Sequence, residues 1–106
     1  MRTPSLKWLA CGLALALPLW AQASPETIMT TAGCMACHTK DKKLVGPALK
    51  DIAAKYKGQA GAVPALMAKV RTGGKGVFGP IPMSPNPPDK INDADLKTAV
   101  EWILQQ

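Results

Sequence analysis

The chain has 106 residues and a formal net charge of +6, with 13 Lys and Arg against 7 Asp and Glu. This length suits a single domain with a modest core and excludes a multidomain protein. Domains of this size often need a metal, a cofactor or a disulfide. One Phe and one Tyr supply few large side chains, so we expect something else to fill the interior.

The first 23 residues have the order of a secretory signal peptide. A basic start precedes an uncharged apolar run over 8–21, and Ala21-Gln22-Ala23 has small residues at its first and third positions. We therefore predict a signal peptide, residues 1–23, that is cleaved before Ser24, and a single functional domain, residues 24–106.

Two other interpretations of this segment are disfavoured. A retained membrane anchor needs roughly 20 apolar residues, whereas this run has 14 and is interrupted by Pro18. Lipid modification of Cys11 would leave almost no apolar run before the cysteine. After cleavage, the loss of Arg2 and Lys7 lowers the net charge from +6 to +4.

The hydrophobic periodicity of the domain is helical, without convincing strand-like alternation. Ser24-Pro25 suits an N-cap followed by proline at the first helical position, which opens a short helix ending near Gly33. A second helix is predicted before Gly58, because apolar residues there recur at i, i+3, i+4 and i+7, and the glycine ends it. These residues are Leu49, Ile52, Ala53 and Tyr56.

Two further helices are predicted towards the C-terminus. Pro64 can start the third, and Gly73-Gly74 can end it. Its inward-facing residues are Leu66, Met67 and Val70. Asn92 is a good N-cap for the fourth, whose first turn is acidic. Its buried stripe is Leu96, Ala99, Val100 and Ile103.

A Pro-rich loop separates the last two predicted helices, between Gly73 and Ile91. Its prolines are Pro80, Pro82, Pro85, Pro87 and Pro88. Proline at this density prevents regular structure and stiffens the backbone. A long ordered loop in a compact domain usually has a function.

The segment Cys34-Met35-Ala36-Cys37-His38 carries the most specific chemical signal. Two cysteines separated by two residues can place both sulfurs on one side of a turn, where they can add to the two vinyl groups of a haem. The adjacent histidine can then supply one axial nitrogen to the iron. We predict one haem c, covalently bound through Cys34 and Cys37, with His38 as an iron ligand.

Other uses of this segment fit less well. A zinc site needs four protein ligands, but His38 is the only histidine and the chain has no second cysteine pair. A thioredoxin-like pair needs a βαβ context, whereas this chain is helical. A plain disulfide remains possible in an oxidising compartment, but it explains neither the histidine nor the small core.

A methionine is the expected second axial ligand, since cytochromes c use His and Met. Met35 lies inside the attachment turn, and Met29 lies too close upstream. Met67 has apolar helical neighbours, where methionine normally fills the core. Met83 lies in the stiff loop, far enough along the chain to cross the ring, and is the predicted ligand.

Three segments together resemble the short bacterial class I cytochromes of the cytochrome c-551 type. They are Gly33-Cys34-Met35-Ala36-Cys37-His38, Val45-Gly46-Pro47-Ala48 and Gly79-Pro80-Ile81-Pro82-Met83. The resemblance covers nearly all of residues 24–106. It implies an all-α, small cytochrome c fold with about four short helices and a Pro-rich loop around one covalent haem, the first and last helices crossing.

The resemblance also implies roles for residues around the ligands. The carbonyl of Pro47 would accept the free ring N–H of His38, which fixes the tautomer. Asn86 would donate towards the sulfur of Met83. From the sequence alone, Asn86 could equally be an ordinary turn residue.

Three features depart from the family pattern. Relatives commonly have Trp at the position of Phe78 and Arg at that of Lys69, both of which bind a haem propionate. Phe78 has no donor, and Lys69 offers a point charge without a fork. The stretch 87–92 is also longer than usual, which we expect to affect the rim of the loop.

With His38 and Met83 on the iron, no position is left for a substrate, so the sequence predicts a monomeric one-electron carrier and no enzyme. The export signal predicts a periplasmic protein without an integral membrane anchor or a nucleic-acid partner. The family likeness implies redox partners: a quinol-oxidising complex upstream and a terminal reductase or oxidase downstream, such as a nitrite reductase. A gas-binding or peroxidatic haem protein with an open sixth position is the alternative if Met83 does not bind.

The sequence is compatible with two modes of action of the carrier and with two roles of its lysines. The carrier could diffuse freely or be an electron-entry subunit held in an enzyme complex. Lysines crowd the region after the haem motif, and they either steer an acidic partner or form an ordinary solvated surface. They are Lys40, Lys42, Lys43, Lys50, Lys55 and Lys57, and the same two interpretations apply to Lys69, Arg71 and Lys75 further along the chain.

Overall fold

The structure is a computed structural model that describes residues 12–14 and 23–106. The predicted signal peptide lies, apart from 12–14 and Ala23, outside these ranges. Within them, four α-helices follow one another without a β-strand: α1 (Pro25–Thr31), α2 (Leu49–Tyr56), α3 (Ala62–Thr72) and α4 (Asp93–Ile103). The expected all-α fold is confirmed. None of the described helices has the length and apolar content to cross a membrane.

The helix α1 begins and ends as its sequence predicts. Ser24 is the N-cap, its Oγ accepting the Thr27 backbone N–H at 3.2 Å, and Pro25 occupies the first turn. The chain leaves the helix through Gly33, whose φ of +84° favours glycine. That reversal leads directly into a single 3-10 turn, Cys34–Ala36.

The third helix starts two residues earlier than predicted. It begins at Ala62, after Gly61 with φ of +75°, and Pro64 lies within its first turn. Proline is tolerated there because the first N–H groups of a helix have no intrahelical acceptor. The other end is as expected, since the Gly73 N–H donates to Lys69 O at 2.7 Å.

The core forms where α1 and α3 pack against α4. Its largest fully buried side chains are Met29, Leu49, Leu96 and Val100. Burying a side chain of this size contributes roughly 1.5–3 kcal/mol. Met67 packs partly buried against the same cluster, as a core-filling methionine does.

The N-terminus of α4 is stabilised by a side-chain cap. Asn92 Oδ1 accepts the Asp95 N–H at 2.8 Å, and Asp93 adds a second carboxylate at the positive end of the helix dipole. Two of the four residues predicted for its buried stripe, Leu96 and Val100, are among the largest core side chains. The other three α-helices, α1, α2 and α3, all pack against α4.

Candidate functional site

The 3-10 turn brings the two predicted attachment cysteines and the histidine together. Cys34 O accepts the backbone N–H groups of both Cys37, at 3.1 Å, and His38, at 3.0 Å. This tight turn follows from the positive φ of Gly33. Cys34 is half-buried and Cys37 is exposed.

The ring of His38 is held by the segment that follows the turn. Its Nδ1 lies 2.8 Å from Pro47 O, the contact that the family resemblance implies. A carbonyl can only accept, so Nδ1 carries the proton and Nε2 keeps its lone pair. Gly46 lies flat against the ring, since a Cβ there would be 2.6 Å from His38 Cε1. The histidine is therefore fixed in both tautomer and orientation.

A largely apolar cavity of about 300 Å³ lies beside this turn. Its lining includes Cys34, Cys37, His38, Phe78, Met83 and Asn86. It extends from the haem motif to the Pro-rich loop, whose residues 74–84 contribute much of its wall. The site therefore combines two thiols, an imidazole and a thioether around one apolar space.

Met83 is positioned through its backbone. It forms an antiparallel bridge with Gly74, in which Gly74 N–H donates to Met83 O at 3.0 Å and Met83 N–H donates to Gly74 O at 2.8 Å. The carbonyl of Met83 also occupies the space that a Cβ on Gly73 would need. This bridge inside the loop is a feature that the sequence analysis did not predict.

Asn86 is buried, with 6% of its surface exposed. Its Nδ2 donates to Val70 O at 3.2 Å and to Ser84 O at 3.0 Å, and its backbone N–H donates to Val70 O at 3.0 Å. Among the hydrogen bonds of residues 23–106, the Met83 sulfur is not an acceptor for Asn86. Carbonyl oxygens are stronger acceptors than a thioether, so the amide here fixes the loop backbone.

Comparison with known proteins identifies the family. The Cytochrome c family model matches residues 24–106. This chain belongs to the cytochrome c family. It is 46% identical over 101 residues to cytochrome c-551 of Pseudomonas aeruginosa, covering 95% of this chain and 93% of that protein. It is 55% identical over 84 residues to cytochrome c2 of Rubrivivax gelatinosus, covering 78% and 98%.

Solved structures also support membership of the cytochrome c family. The crystal structure of Nitrosomonas europaea cytochrome c552 superposes with a TM-score of 0.69 at 46% identity, covering 74% of this chain and 94% of that one. The protein is thus a small electron-transfer cytochrome with one covalently bound haem c, and it is an electron carrier, not an enzyme. The donor set of the cavity fits that cofactor, since haem c needs two thiols and soft or nitrogenous axial ligands.

Burial raises the pKa of the Cys34 thiol, and the nearby charge of Lys90 offsets only part of that effect. The thioredoxin-like alternative for this cysteine pair is disfavoured by the fold, because it needs a βαβ context and the described residues form helices without a strand.

Two of the three departures from the family pattern, Phe78 and Lys69, lie on the cavity wall. Phe78 is 37% exposed, and Lys55 Nζ stands 5.9 Å from its ring centroid. Lys69 places its ammonium against Gly74, since a Cβ on that glycine would be 2.9 Å from Nζ. Two lysines thus bring positive charge to this wall, without the indole N–H or guanidinium fork of relatives.

Arg71 has a role in the loop that was not predicted from the sequence, where it counts among the basic residues considered for partner docking. Its side chain is largely buried and reaches the far end of the Pro-rich loop. In the sequence it is simply one of several basic residues near the end of α3. Only its acceptors, 15 to 22 positions away, distinguish it.

Proposed function

We propose that residues 24–106 form a monomeric periplasmic one-electron carrier in which His38 and Met83 are the axial ligands of a haem attached to Cys34 and Cys37. The observation that carries this proposal is the single cavity shared by these four residues. A ligand set of His and Met leaves the iron saturated and raises its potential. Such a centre exchanges electrons without binding a substrate.

The haem supplies an iron that takes up and releases one electron. The protein residues prepare its surroundings. Pro47 and Gly46 keep His38 Nε2 available and fix the ring plane. The bridge between Gly74 and Met83 holds Met83 in the wall of the cavity, whose lining is largely apolar. A site fixed in this way needs little rearrangement when its charge changes.

Export to the periplasm is proposed from the predicted signal peptide, residues 1–23, whose basic start, apolar run and Ala21-Gln22-Ala23 segment have the order of a secretory signal.

The surface around the cavity supports transient docking to an acidic redox protein. Lys43 and Lys75 line the cavity and are exposed, as are the apolar side chains of Val45 and Ile81. Basic charge around an apolar centre steers a complementary partner and keeps the contact weak. We infer a quinol-oxidising complex as the donor and a terminal reductase or oxidase, such as a nitrite reductase, as the acceptor.

The ligand assignment is tested with Met83→Ala in the purified holoprotein, and Met67→Ala is the matched control. The wild type should show the weak far-red thioether–ferric absorption band. Met83→Ala should lose it, lower the reduction potential and let the ferrous protein bind carbon monoxide, because the iron loses its soft sixth ligand.

Met67→Ala should keep the band and reject carbon monoxide, since Met67 only packs against the core. An unchanged band in Met83→Ala would mean that another residue binds the iron. Rapid carbon monoxide binding by the wild type would instead favour a gas-binding or peroxidatic protein.

A further inference from the structure

The part of the loop that follows Met83 is attached to α3 at Asn86. The Asn86 backbone N–H and its Nδ2 both donate to Val70 O, at 3.0 and 3.2 Å. The carbonyl of the same residue accepts from Arg71 Nη1 at 2.9 Å. Asn86 is thus held from both sides by consecutive residues of α3, three positions after Met83.

Arg71 extends this attachment to the end of the loop. Its Nη1 also donates to Ile91 O at 2.7 Å, so one nitrogen joins both ends of the segment 86–91. Its Nη2 donates to Asp93 Oδ1 at 2.6 Å, in the first turn of α4. The side chain of Arg71 is 20% exposed, whereas that of Asp93 is 83% exposed.

The difference in exposure between the two side chains indicates which contacts of Arg71 stabilise the loop most. An ion pair whose acid is this exposed contributes little, because water and salt screen it. The two carbonyls accept charge-assisted hydrogen bonds from a largely buried guanidinium, and such bonds are the strong ones. A planar guanidinium can serve several acceptors in fixed directions, which an ammonium cannot. The loop carbonyls, more than Asp93, are therefore what Arg71 holds.

We propose that Arg71 is a positioning residue for Met83: by binding the carbonyls of Asn86 and Ile91, it holds the Pro-rich loop so that the sulfur stays at the iron. This inference rests on the proposed ligation by Met83. It assigns to Arg71 the role of keeping the sixth position closed against other ligands.

The test is a titration of the ferric holoprotein with imidazole, in which loss of the far-red thioether–ferric band reports binding. The variants compared with the wild type are Arg71→Gln, Arg71→Lys, Asp93→Asn and Ser24→Ala. An entering ligand binds only molecules whose sixth position is open, so apparent affinity scales with that fraction. We expect Arg71→Gln to bind imidazole roughly tenfold more tightly, and Arg71→Lys to fall between it and the wild type. Asp93→Asn should stay within about twofold of the wild type, because both carbonyl contacts remain.

Ser24→Ala is the control for stability alone, since it removes the side-chain N-cap of α1, a helix that contains no acceptor of Arg71. The free energy of unfolding of every variant is measured by denaturant titration, with circular dichroism as the signal. The proposal is overturned if Arg71→Gln binds imidazole like the wild type, or if Ser24→Ala at equal stability loss tightens imidazole binding as much. It is also overturned if Asp93→Asn matches Arg71→Gln, since the ion pair would then carry the effect. A wild type without the far-red band would refute Met83 ligation itself, a distinct result.

Discussion

Gly73→Ala tests whether the path of the Met83 loop depends on close backbone packing. Gly73 has φ of +67° and ψ of −160°, a conformation that costs an L-residue roughly 1–3 kcal/mol. A Cβ there would also meet Met83 O and come within 2.9 Å of Pro85 N. Relief of this clash must displace the loop and break the two bonds of the Gly74–Met83 bridge, each worth about 0.5–1.5 kcal/mol. Together these effects predict a loss of about 2–6 kcal/mol in the free energy of unfolding.

The assay is denaturant unfolding of the holoprotein, combined with the thioether–ferric band in the absence of denaturant. Gly61→Ala is the matched control, because Gly61 has φ of +75° and a Cβ added there would have no neighbouring atom within 4 Å. It should lose only about 1–2 kcal/mol, the cost of a left-handed L-residue, and keep its band. A Gly73→Ala protein that is no less stable than Gly61→Ala and has an intact band would refute the argument from packing.

Two further predictions address the other supports of the site. Gly46→Ala should lower the free energy of unfolding by about 1–3 kcal/mol, because the added Cβ overlaps the His38 ring, which Pro47 prevents from moving away. The His38 ring resonances in the NMR spectrum should shift as well, and unchanged resonances would contradict this prediction. Asn92→Ala should cost about 1 kcal/mol through loss of the α4 cap, with the reduction potential as in the wild type; a changed potential would show that the cap acts on the iron.

The helices were predictable because their signals are local. Ser24 and Asn92 are N-caps in the structure as in the sequence, and each cap bonds to an N–H only three residues away. The start of α3 was missed because Pro64 is equally acceptable at several positions of a first turn. Helix ends of this kind depend on the preceding glycine, Gly61, whose positive φ the sequence does not reveal.

Parts of the candidate site were likewise predictable from local sequence, whereas other parts were not. The turn that places Cys34, Cys37 and His38 is closed by bonds between residues at most four apart, so a pentapeptide pattern is enough to recognise it. Pro47 was found only through the family resemblance. The bonds of Asn86 to α3 could not be predicted from its neighbours, because their acceptor, Val70 O, lies 16 residues earlier in the chain.

The two predicted iron ligands therefore rest on different kinds of support. His38 is oriented within ten residues of chain, by Gly46 and Pro47, and remains oriented as long as that segment is intact. Met83 is bonded to Gly74, nine residues earlier, but the loop that follows it also depends on contacts with α3, which exist only when the domain is packed. Partial opening should consequently release the loop before it disturbs the histidine, since contacts with large sequence separation are lost when local ones persist. The ligand that closes the site is thus held by the less local part of the fold, and that is where we expect substitutions to alter access to the iron.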